Sequence, residues 1–241
     1  MSTSQEGRVV AVTGAAGGIG QAVCERLRRD GASVWAMDLR QPEGPNGVAV
    51  AVDVTDADSV EQGFAHVRQQ EGRLDAVVAG AGIVEDDVAA ESMSSAQFGA
   101  VLAVNLTGVF HTLTSAGRIM LEQGSGSCVA ISSMSGNHTV NTPQRQCAYN
   151  ASKAGVSALV RSLAAEWADR GVRVNAVAPG YIATELLARK THQFEQWFAH
   201  TPQRRMGAPE DVAATVAFLL SDEAGYFCGS ELLMDGGYTL V

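Results

Sequence analysis

Short runs of apolar residues recur along the chain, and segments with helical periodicity follow most of them. The runs are apolar throughout, which is typical of strands covered by helices on both faces. Strands that alternate with helices form a parallel sheet with right-handed crossovers. The sequence therefore predicts a single α/β domain over residues 1–241, with a doubly wound parallel sheet of about seven strands. The predicted strands are residues 8–13, 33–38, 48–52, 74–79, 127–132, 172–178 and 231–234, and the predicted helices are residues 18–30, 58–71, 97–122, 146–170 and 209–221.

The charge of the chain limits the partners that it can bind. A net charge of −9 argues against nucleic acid, because phosphate contacts require clustered Lys and Arg. Charged residues make up only 18 % of the chain, which is low for a solvated monomer and indicates that some surface is hidden between subunits. The longest uncharged stretch, residues 92–117, contains Ser, Gln, Asn, Thr and His. We therefore predict a buried helix there and no membrane span.

The cysteines and the opening residues bear on location. The cysteines lie far apart without metal-ligand spacing, so we expect reduced thiols and no metal site. The opening residues lack the basic start and apolar run of a signal peptide, and we expect a cytoplasmic protein. The cysteines are Cys24, Cys128, Cys147 and Cys228.

A glycine-rich segment, TGAAGGIG at residues 13–20, connects the first predicted strand to the first predicted helix. Glycine permits a tight turn and lets the backbone approach a pyrophosphate, which then meets the positive end of the helix. Such a turn alone is weak evidence, but its place in a βαβ unit favours a dinucleotide site. The predicted cofactor contacts are Gly14, Gly18, Ile19 and Gly20.

Asp38 ends the second predicted strand and points to the type of dinucleotide. A carboxylate there can accept hydrogen bonds from both ribose hydroxyl groups and would repel a 2′-phosphate, which favours NAD over NADP. Leu39 adjoins this position, and Arg40 keeps NADP open as an alternative, because a guanidinium can accommodate the phosphate. Asp53 and Val54, after the third strand, are predicted to contact adenine, although a loop that leads into a helix fits the same spacing.

Tyr149 and Lys153 are four residues apart in a predicted helix, which places both side chains on one face. A phenol with an ordinary pKa of about 10 exchanges protons poorly at neutral pH, and a nearby ammonium favours its phenolate. Tyr149 can then act as a general base toward an alcohol, or as the acid in the reverse direction. The pair by itself occurs often by chance.

Several further motifs follow one another in a defined order. They are Asn105 within VNLTGVF, ISS at 131–133, YNASK at 149–153, NAVAPGYIAT at 175–184, RMGAPEDVA at 205–213 and MDGGY at 234–238. Together with TGAAGGIG, they make the sequence resemble the short-chain dehydrogenase/reductase family over essentially the whole chain. The resemblance implies a Rossmann-type fold, a nicotinamide cofactor and a homotetramer.

The resemblance also implies a role for each of four catalytic residues. Tyr149 is the general acid/base, and Lys153 lowers its pKa while binding the nicotinamide ribose. Ser133, which fits the family motif better than Ser132, binds the substrate oxygen. Asn105 supports a water molecule of a proton relay beside Lys153. For either serine and for Asn105, a side chain satisfied within the fold is the alternative.

The nicotinamide pocket is implied by residues that follow the fourth and sixth predicted strands. Ala79 and Gly80 keep the small turn after the fourth strand, but the family often has NNAG where this chain has AGAG at residues 79–82. An Asn side chain that commonly braces neighbouring strands is missing, and we expect this to affect local stability more than the chemistry. After the sixth strand, the implied residues are Pro179, Gly180, Ile182 and Thr184.

The polar loop between Ser133 and Tyr149 resembles the branch of the family that acts on polyols and sugars. Its polar side chains would discriminate against substrates without matching hydroxyl groups, while a solvated loop is the alternative for each of them. In this family the segment 184–208 covers the substrate, although a helix against a partner subunit shows the same pattern of apolar residues. The loop candidates are Asn137, His138, Asn141, Gln144 and Arg145.

These observations predict an oxidoreductase that transfers a hydride between NAD(H) and a secondary alcohol or ketone, with a polyol or sugar derivative as the main hypothesis. One alternative is a ketone or 3-oxoacyl thioester reductase of the same family, which usually employs NADPH. A non-enzyme alternative is a nucleotide-sensing regulatory protein, but such proteins typically lose the Tyr or the Lys. Residues 92–117 and 147–167 are the predicted helix faces between subunits.

Overall fold

Seven strands form one sheet in the computed structural model, which describes residues 4–40, 47–140, 144–188 and 190–241. The strands are β1 (Val9–Thr13), β2 (Ser33–Asp38), β3 (Val48–Ala51), β4 (Ala76–Ala79), β5 (Gly126–Ile131), β6 (Val172–Pro179) and β7 (Glu231–Met234). Their order is β3-β2-β1-β4-β5-β6-β7, and every neighbouring pair is parallel. The predicted doubly wound α/β sheet is confirmed.

Helices cover both faces of the sheet. They are α1 (Gly18–Arg29), α2 (Ala57–Glu71), α3 (Ser95–Leu102), α4 (Gly108–Gln123), α5 (Met134–Asn137), α6 (Cys147–Trp167), α7 (Glu185–Ala188), α8 (Phe194–His200) and α9 (Pro209–Leu220). Successive side chains of a strand point to opposite faces. In β1, Val9 and Ala11 therefore join the apolar cluster under α2, α4 and α6, while Val10 and Val12 join the cluster under α1 and α9. This two-sided burial explains why the central strands are apolar throughout, whereas the edge strand β3 is largely exposed.

The long uncharged segment is broken in its middle. A continuous helix was expected over residues 97–122, but a π-helical turn, Ala103–Thr107, separates α3 from α4. Such turns insert an extra residue into the helical hydrogen-bond pattern and are frequent at functional sites. This turn carries Asn105, whose side chain is fully buried.

The same segment is buried on one face only. In α4, Leu113 and Met120 are fully buried in the core, while Phe110 is 45 % exposed and Phe98 in α3 is 37 % exposed. The expectation of a buried helix is therefore correct for one face. By length and composition alone the helical stretch Ser95–Gln123 could cross a membrane, but core helices of water-soluble proteins pass the same test.

The chain reverses its direction of travel across the sheet after β3. It runs outward from β1 through β2 to β3, and then crosses back to place β4 on the other side of β1. In open α/β sheets, ligands bind at such a switch point, in the crevice at the carboxyl ends of the strands. The segments that follow β1, β2, β4, β5 and β6 all lie at this edge.

Candidate active site

The connection between β1 and α1 has no room for a side chain at Gly14 or at Gly20, which lies in the first turn of α1. Gly14 has a φ of +72°, and a Cβ there would lie 2.6 Å from the backbone nitrogen of Ala81. A Cβ at Gly20 would lie 2.1 Å from the carbonyl oxygen of Gly14. The tight turn brings the start of α1 to the carboxyl edge of the sheet, where backbone N–H groups can bind a pyrophosphate.

Asp38 ends β2 and is hydrogen bonded to the glycine turn. Its Oδ2 accepts a hydrogen bond from the Ala16 N–H at 3.0 Å, and its Oδ1 accepts one from the Arg40 N–H at 3.0 Å. The carboxylate therefore joins the end of β2 to the turn, at the position predicted for ribose binding. Leu39 beside it is 71 % exposed, and Arg40 is also exposed.

The protein itself uses the groups after β3 that were predicted to contact adenine. Asp53 Oδ1 accepts hydrogen bonds from the Thr55 hydroxyl at 2.7 Å and from the Thr55 N–H at 2.9 Å, and these bonds lower the pKa of Asp53. Val54 is buried in the core, and its carbonyl oxygen is 3.0 Å from Nδ1 of His111. A contact of either residue with adenine stays a prediction.

Tyr149 and Lys153 lie one turn apart on α6, beside Ser133 at the end of β5. The Lys153 Nζ is 5.7 Å from the centroid of the Tyr149 ring, and it donates a hydrogen bond to the Ile131 carbonyl at 2.7 Å. The side chains of Tyr149 and Ser133 are hydrogen bonded to each other. The structure thus brings together the predicted base, lysine and serine.

Burial has the largest effect on the pKa values of Tyr149 and Lys153. It raises the pKa of Tyr149, while the hydrogen bond with Ser133 lowers it and the charge of Glu85 raises it further. Burial lowers the pKa of Lys153 to about 8, from an ordinary value of 10.5. The lowering of the Tyr149 pKa by Lys153, which the family resemblance implies, stays a prediction.

The side chain of Asn105 makes three hydrogen bonds to residues of two other segments. Its Oδ1 accepts from the Ile83 N–H at 2.8 Å, and its Nδ2 donates to the Ile83 carbonyl at 2.8 Å and to the Ser152 hydroxyl at 3.1 Å. A Cβ at Gly82 would lie 3.5 Å from Asn105 Oδ1 and 3.6 Å from Lys153 Nζ. Asn105 and Lys153 therefore border the same small space, where a relay water stays a prediction.

The two serines after β5 differ in their surroundings. The Ser132 hydroxyl is 3.0 Å from that of Ser157 and 3.3 Å from the Lys153 carbonyl oxygen, so it is satisfied inside the fold. The Ser133 hydroxyl accepts a hydrogen bond from the Ser135 N–H at 3.1 Å and contacts Tyr149. This geometry supports Ser133 as the residue that binds the substrate oxygen.

A cavity of about 150 Å³ opens at this edge of the sheet. Ser133, Tyr149 and Lys153 line it, and Ala79, predicted for the cofactor, is buried in β4. Most of the residues predicted for the nicotinamide pocket line the same cavity. They are Gly80, Pro179, Gly180, Ile182 and Thr184, and Ile19 of the glycine-rich segment lines the cavity as well.

The other end of the cavity is lined by side chains that can bind hydroxyl groups. Gln144, which is 4 % exposed, donates from Nε2 to the Tyr181 hydroxyl at 3.2 Å. Tyr181 stacks on Trp197 with ring centroids 4.1 Å apart. Tyr181 and Gln146 were not predicted, and the only signal in the sequence was their place next to Pro179-Gly180 and Tyr149.

The loop between β5 and α6 contributes fewer hydroxyl-binding groups than its composition suggested. Asn137 donates a hydrogen bond to Glu231, and Arg145 pairs with Asp87 at 2.9 Å on the exposed surface. His138 is exposed and does not line the cavity. Asn141 lies outside the described residues. Of the described candidates only Gln144 lines the cavity.

The segment predicted to cover the substrate contributes to the wall of the cavity. Leu187, Lys190 and Trp197 line it from α7, the turn after it and α8. Among the described residues, no group of three or more His, Cys, Asp or Glu side chains could hold a metal ion.

Comparison with known proteins extends over the whole chain. A family model described as enoyl-(acyl carrier protein) reductase matches residues 14–239. The galactitol 2-dehydrogenase (L-tagatose-forming) of Cereibacter sphaeroides is 40 % identical over 247 residues, which cover 98 % of this chain and 96 % of that protein.

Solved structures share the fold of this chain over nearly its whole length. A short-chain type dehydrogenase/reductase from Mycobacterium marinum matches with a TM-score of 0.95 and 32 % identity, covering 100 % of this chain and 98 % of the other. The NADPH-dependent 3-quinuclidinone reductase from Rhodotorula rubra matches with a TM-score of 0.91 and 32 % identity, covering 100 % and 94 %. The likeness therefore includes both the strand ends and the covering segment.

Proposed function

The chain belongs to the short-chain dehydrogenase/reductase family of oxidoreductases, and from this premise we propose that it oxidises a polyol or a related sugar derivative with NAD. The observation that carries the proposal is the shared cavity. Ser133, Tyr149 and Lys153 lie at one end of it, and side chains that bind hydroxyl groups lie at the other. The similarity to a galactitol dehydrogenase supports the same substrate class.

The residues at the strand ends fit a nicotinamide dinucleotide, which supplies a hydride acceptor when bound. A Cβ at Gly14 or Gly20 would clash with neighbouring backbone atoms, so both positions require glycine. The tight turn after β1 leaves the N–H groups at the start of α1 available to a pyrophosphate. The carboxylate of Asp38 suits a ribose with two free hydroxyl groups and supports NAD. The exposed Arg40 and the similarity to an NADPH-dependent reductase keep NADP as the alternative.

The chemistry assigned to the chain is proton transfer at the phenol of Tyr149. In alcohol oxidation Tyr149 takes the hydroxyl proton, and Ser133 donates a hydrogen bond to the substrate oxygen. Because burial raises the pKa of Tyr149, the phenolate depends on the positive charge of Lys153. That charge is itself partly lost above pH 8, since the pKa of Lys153 is about 8.

Specificity for a polyol rests on a buried amide. Gln144 is 4 % exposed and lines the cavity, and its buried Oε1 has no hydrogen-bond donor among the described residues. A site built to hydrogen bond with hydroxyl groups discriminates strongly against substrates that lack them, because its buried polar groups are then left without partners. Lys190 also lines the cavity and no acidic side chain among the described lining residues does, so sugar acids belong among the test substrates.

The test follows NADH formation by purified protein with NAD and a panel of polyols, sugar acids, hydroxysteroids and simple secondary alcohols. We expect turnover of polyols or sugar acids and little turnover of simple alcohols. Turnover confined to hydroxysteroids or simple alcohols would contradict the substrate class while leaving the family intact.

The description of the matching family model favours a second candidate, the reduction of a ketone or an acyl thioester. This candidate requires activity in the reductive direction with NADPH, which the carboxylate of Asp38 disfavours. Oxidation of polyols with NAD would exclude it as the main activity. A regulatory protein without turnover would bind the nucleotide and show no activity with any member of the panel.

We also propose a cytoplasmic homotetramer. The exposed apolar side chains of α3 and α4, Phe98 and Phe110, together with a charged content of only 18 %, support a contact between subunits through these helices and α6. We expect sizing at micromolar concentration to give a tetramer, and a monomer would contradict this assembly.

A further inference from the structure

The loop after β4 places a buried carboxylate against the helix that carries Tyr149. Glu85 is 9 % exposed, and its Oε1 accepts hydrogen bonds from the N–H groups of Ala148 at 2.9 Å and Tyr149 at 3.1 Å. Its Oε2 also accepts from the Tyr149 N–H at 3.1 Å. The first N–H groups of a helix have no partner within the helix, and the side chain of Gln146 does not cap α6. Glu85 caps this helix from a distant segment.

The same loop is tied to the π-helical turn. Both backbone groups of Ile83 are bonded to the side chain of Asn105 at 2.8 Å. Asn105 also donates to the Ser152 hydroxyl, which in turn donates to the Tyr149 carbonyl at 2.7 Å. A closed set of contacts therefore joins Asn105, Ile83, Glu85, Tyr149 and Ser152.

We infer that Glu85 is a positioning residue, which holds Tyr149 in place through its backbone N–H and sets a buried carboxylate against the helical turn that carries the phenol. The inference rests on the proposed function, because it takes Tyr149 as the base. Burying a carboxylate raises the free energy of the folded state unless hydrogen bonds replace its hydration. A neutral acceptor could cap the helix with a smaller penalty of this kind. The charge at this position is therefore expected to act on the reaction as well as on the fold.

The charged groups around the phenol come from three segments. Lys153 lies on α6, Lys190 lines the cavity from the covering segment, and Glu85 lies on the loop after β4. On that loop Asp87 is neutralised by Arg145 at the surface. Glu85 is the charge of this set that raises the pKa of Tyr149, in addition to the larger effect of burial.

Two substitutions separate the bonds from the charge. Glu85→Gln keeps one acceptor oxygen for both N–H groups and removes the charge, whereas Glu85→Ala removes both. We expect Glu85→Ala to lower kcat about 100-fold with unchanged NAD affinity in a fluorescence titration, because small misplacements of a catalytic group have effects of that size. We expect Glu85→Gln to keep most of kcat, with the rising limb of kcat/KM against pH for alcohol oxidation moved to lower pH.

The matched control is Asp86→Asn, which removes the same charge from the adjacent exposed residue and should leave the pH profile unchanged. Full activity of Glu85→Ala, an unmoved limb in Glu85→Gln, or an equal shift in Asp86→Asn would each overturn the inference. If circular dichroism shows that Glu85→Ala does not fold, the pH profile of Glu85→Gln decides. Turnover retained by Tyr149→Phe would refute the proposed base instead, so the two failures are distinguishable.

Discussion

The two halves of the cavity are built in different ways. The cofactor half consists of backbone turns directly after β1 and β4, whose positions are set by neighbouring parallel strands, and of the first residues after β6. The substrate half consists of side chains on two long connections, residues 134–148 after β5 and the covering segment 185–208 after β6. A short turn between fixed elements permits few residues, whereas a long connection can place different residues in the cavity. The cofactor half can therefore stay the same while the substrate changes.

The largest effect is expected at Tyr149, where the two halves meet. Tyr149→Phe removes the proton acceptor but keeps the ring, so we expect kcat to fall by about 10²–10⁴-fold, the usual contribution of general acid–base catalysis. NAD binding, measured by fluorescence titration, should be unchanged because the glycine turn and Asp38 are intact. Activity near that of the unsubstituted protein would show that another group is the base.

A substitution in the cofactor half should change the cofactor and leave the substrate unaffected. Asp38→Ser removes the carboxylate that we propose to bind the ribose hydroxyl groups, and repulsion between like charges is worth several kcal/mol. We expect the preference for NAD over NADP, as a ratio of kcat/KM values, to fall about 100-fold. The KM for the polyol at saturating NAD should not move. Equal efficiency of the unsubstituted protein with both cofactors would contradict the role given to Asp38.

A substitution in the substrate half should have the opposite pattern. Gln144→Leu removes a buried amide from the cavity, and the loss of one hydrogen bond is expected to lower kcat/KM for polyols about 10-fold. The KM for NAD should stay the same. Arg145→Leu is the matched control, because the adjacent Arg145 is exposed and bonded to Asp87. An equal loss in both variants would show that the loop acts through its fold alone.

The same division explains what the sequence could predict. Gly14, Asp38 and the pair Tyr149 and Lys153 depend on spacing within one strand–turn–helix unit or one helix, so local patterns indicate them. Only Gln144 of the described loop candidates lines the cavity, since polar composition does not say which way a loop side chain points.

Contacts between distant segments could not be predicted in this way. Glu85 meets Tyr149 across 64 positions of the chain, and nothing near Glu85 in the sequence announces that contact. The π-helical turn at Asn105 was missed for a related reason. It lies beside a bond between Asn105 and Ile83, 22 positions earlier, and helical periodicity within the segment carries no sign of that bond.

The smallest effect is expected on the free energy of unfolding. It measures how much the buried charge of Lys153 destabilises the folded state. Lys153 is 4 % exposed, and burial lowers its pKa to about 8 from 10.5. Below pH 8 both the folded and the unfolded chain hold the proton, and the folded state bears the full cost of the buried charge. Between pH 8 and 10.5 the unfolded chain binds more protons, so the contribution of Lys153 to stability rises with pH. The difference between the two pKa values corresponds to about 3 kcal/mol.

Lys153→Met should therefore raise the free energy of unfolding at pH 7 by about 1–3 kcal/mol, and by less at pH 10, in denaturant titrations without cofactor. Lys190→Met, at a lysine that is only half-buried, is the matched control for the loss of a positive charge at the cavity, and we expect a smaller change in the free energy of unfolding at pH 7. A less stable Lys153→Met protein at pH 7 would mean that the bond from Nζ to the Ile131 carbonyl outweighs the cost of the charge. A Lys153→Met protein that is more stable but inactive would mean that Lys153 is needed for the reaction although its buried charge lowers the free energy of unfolding.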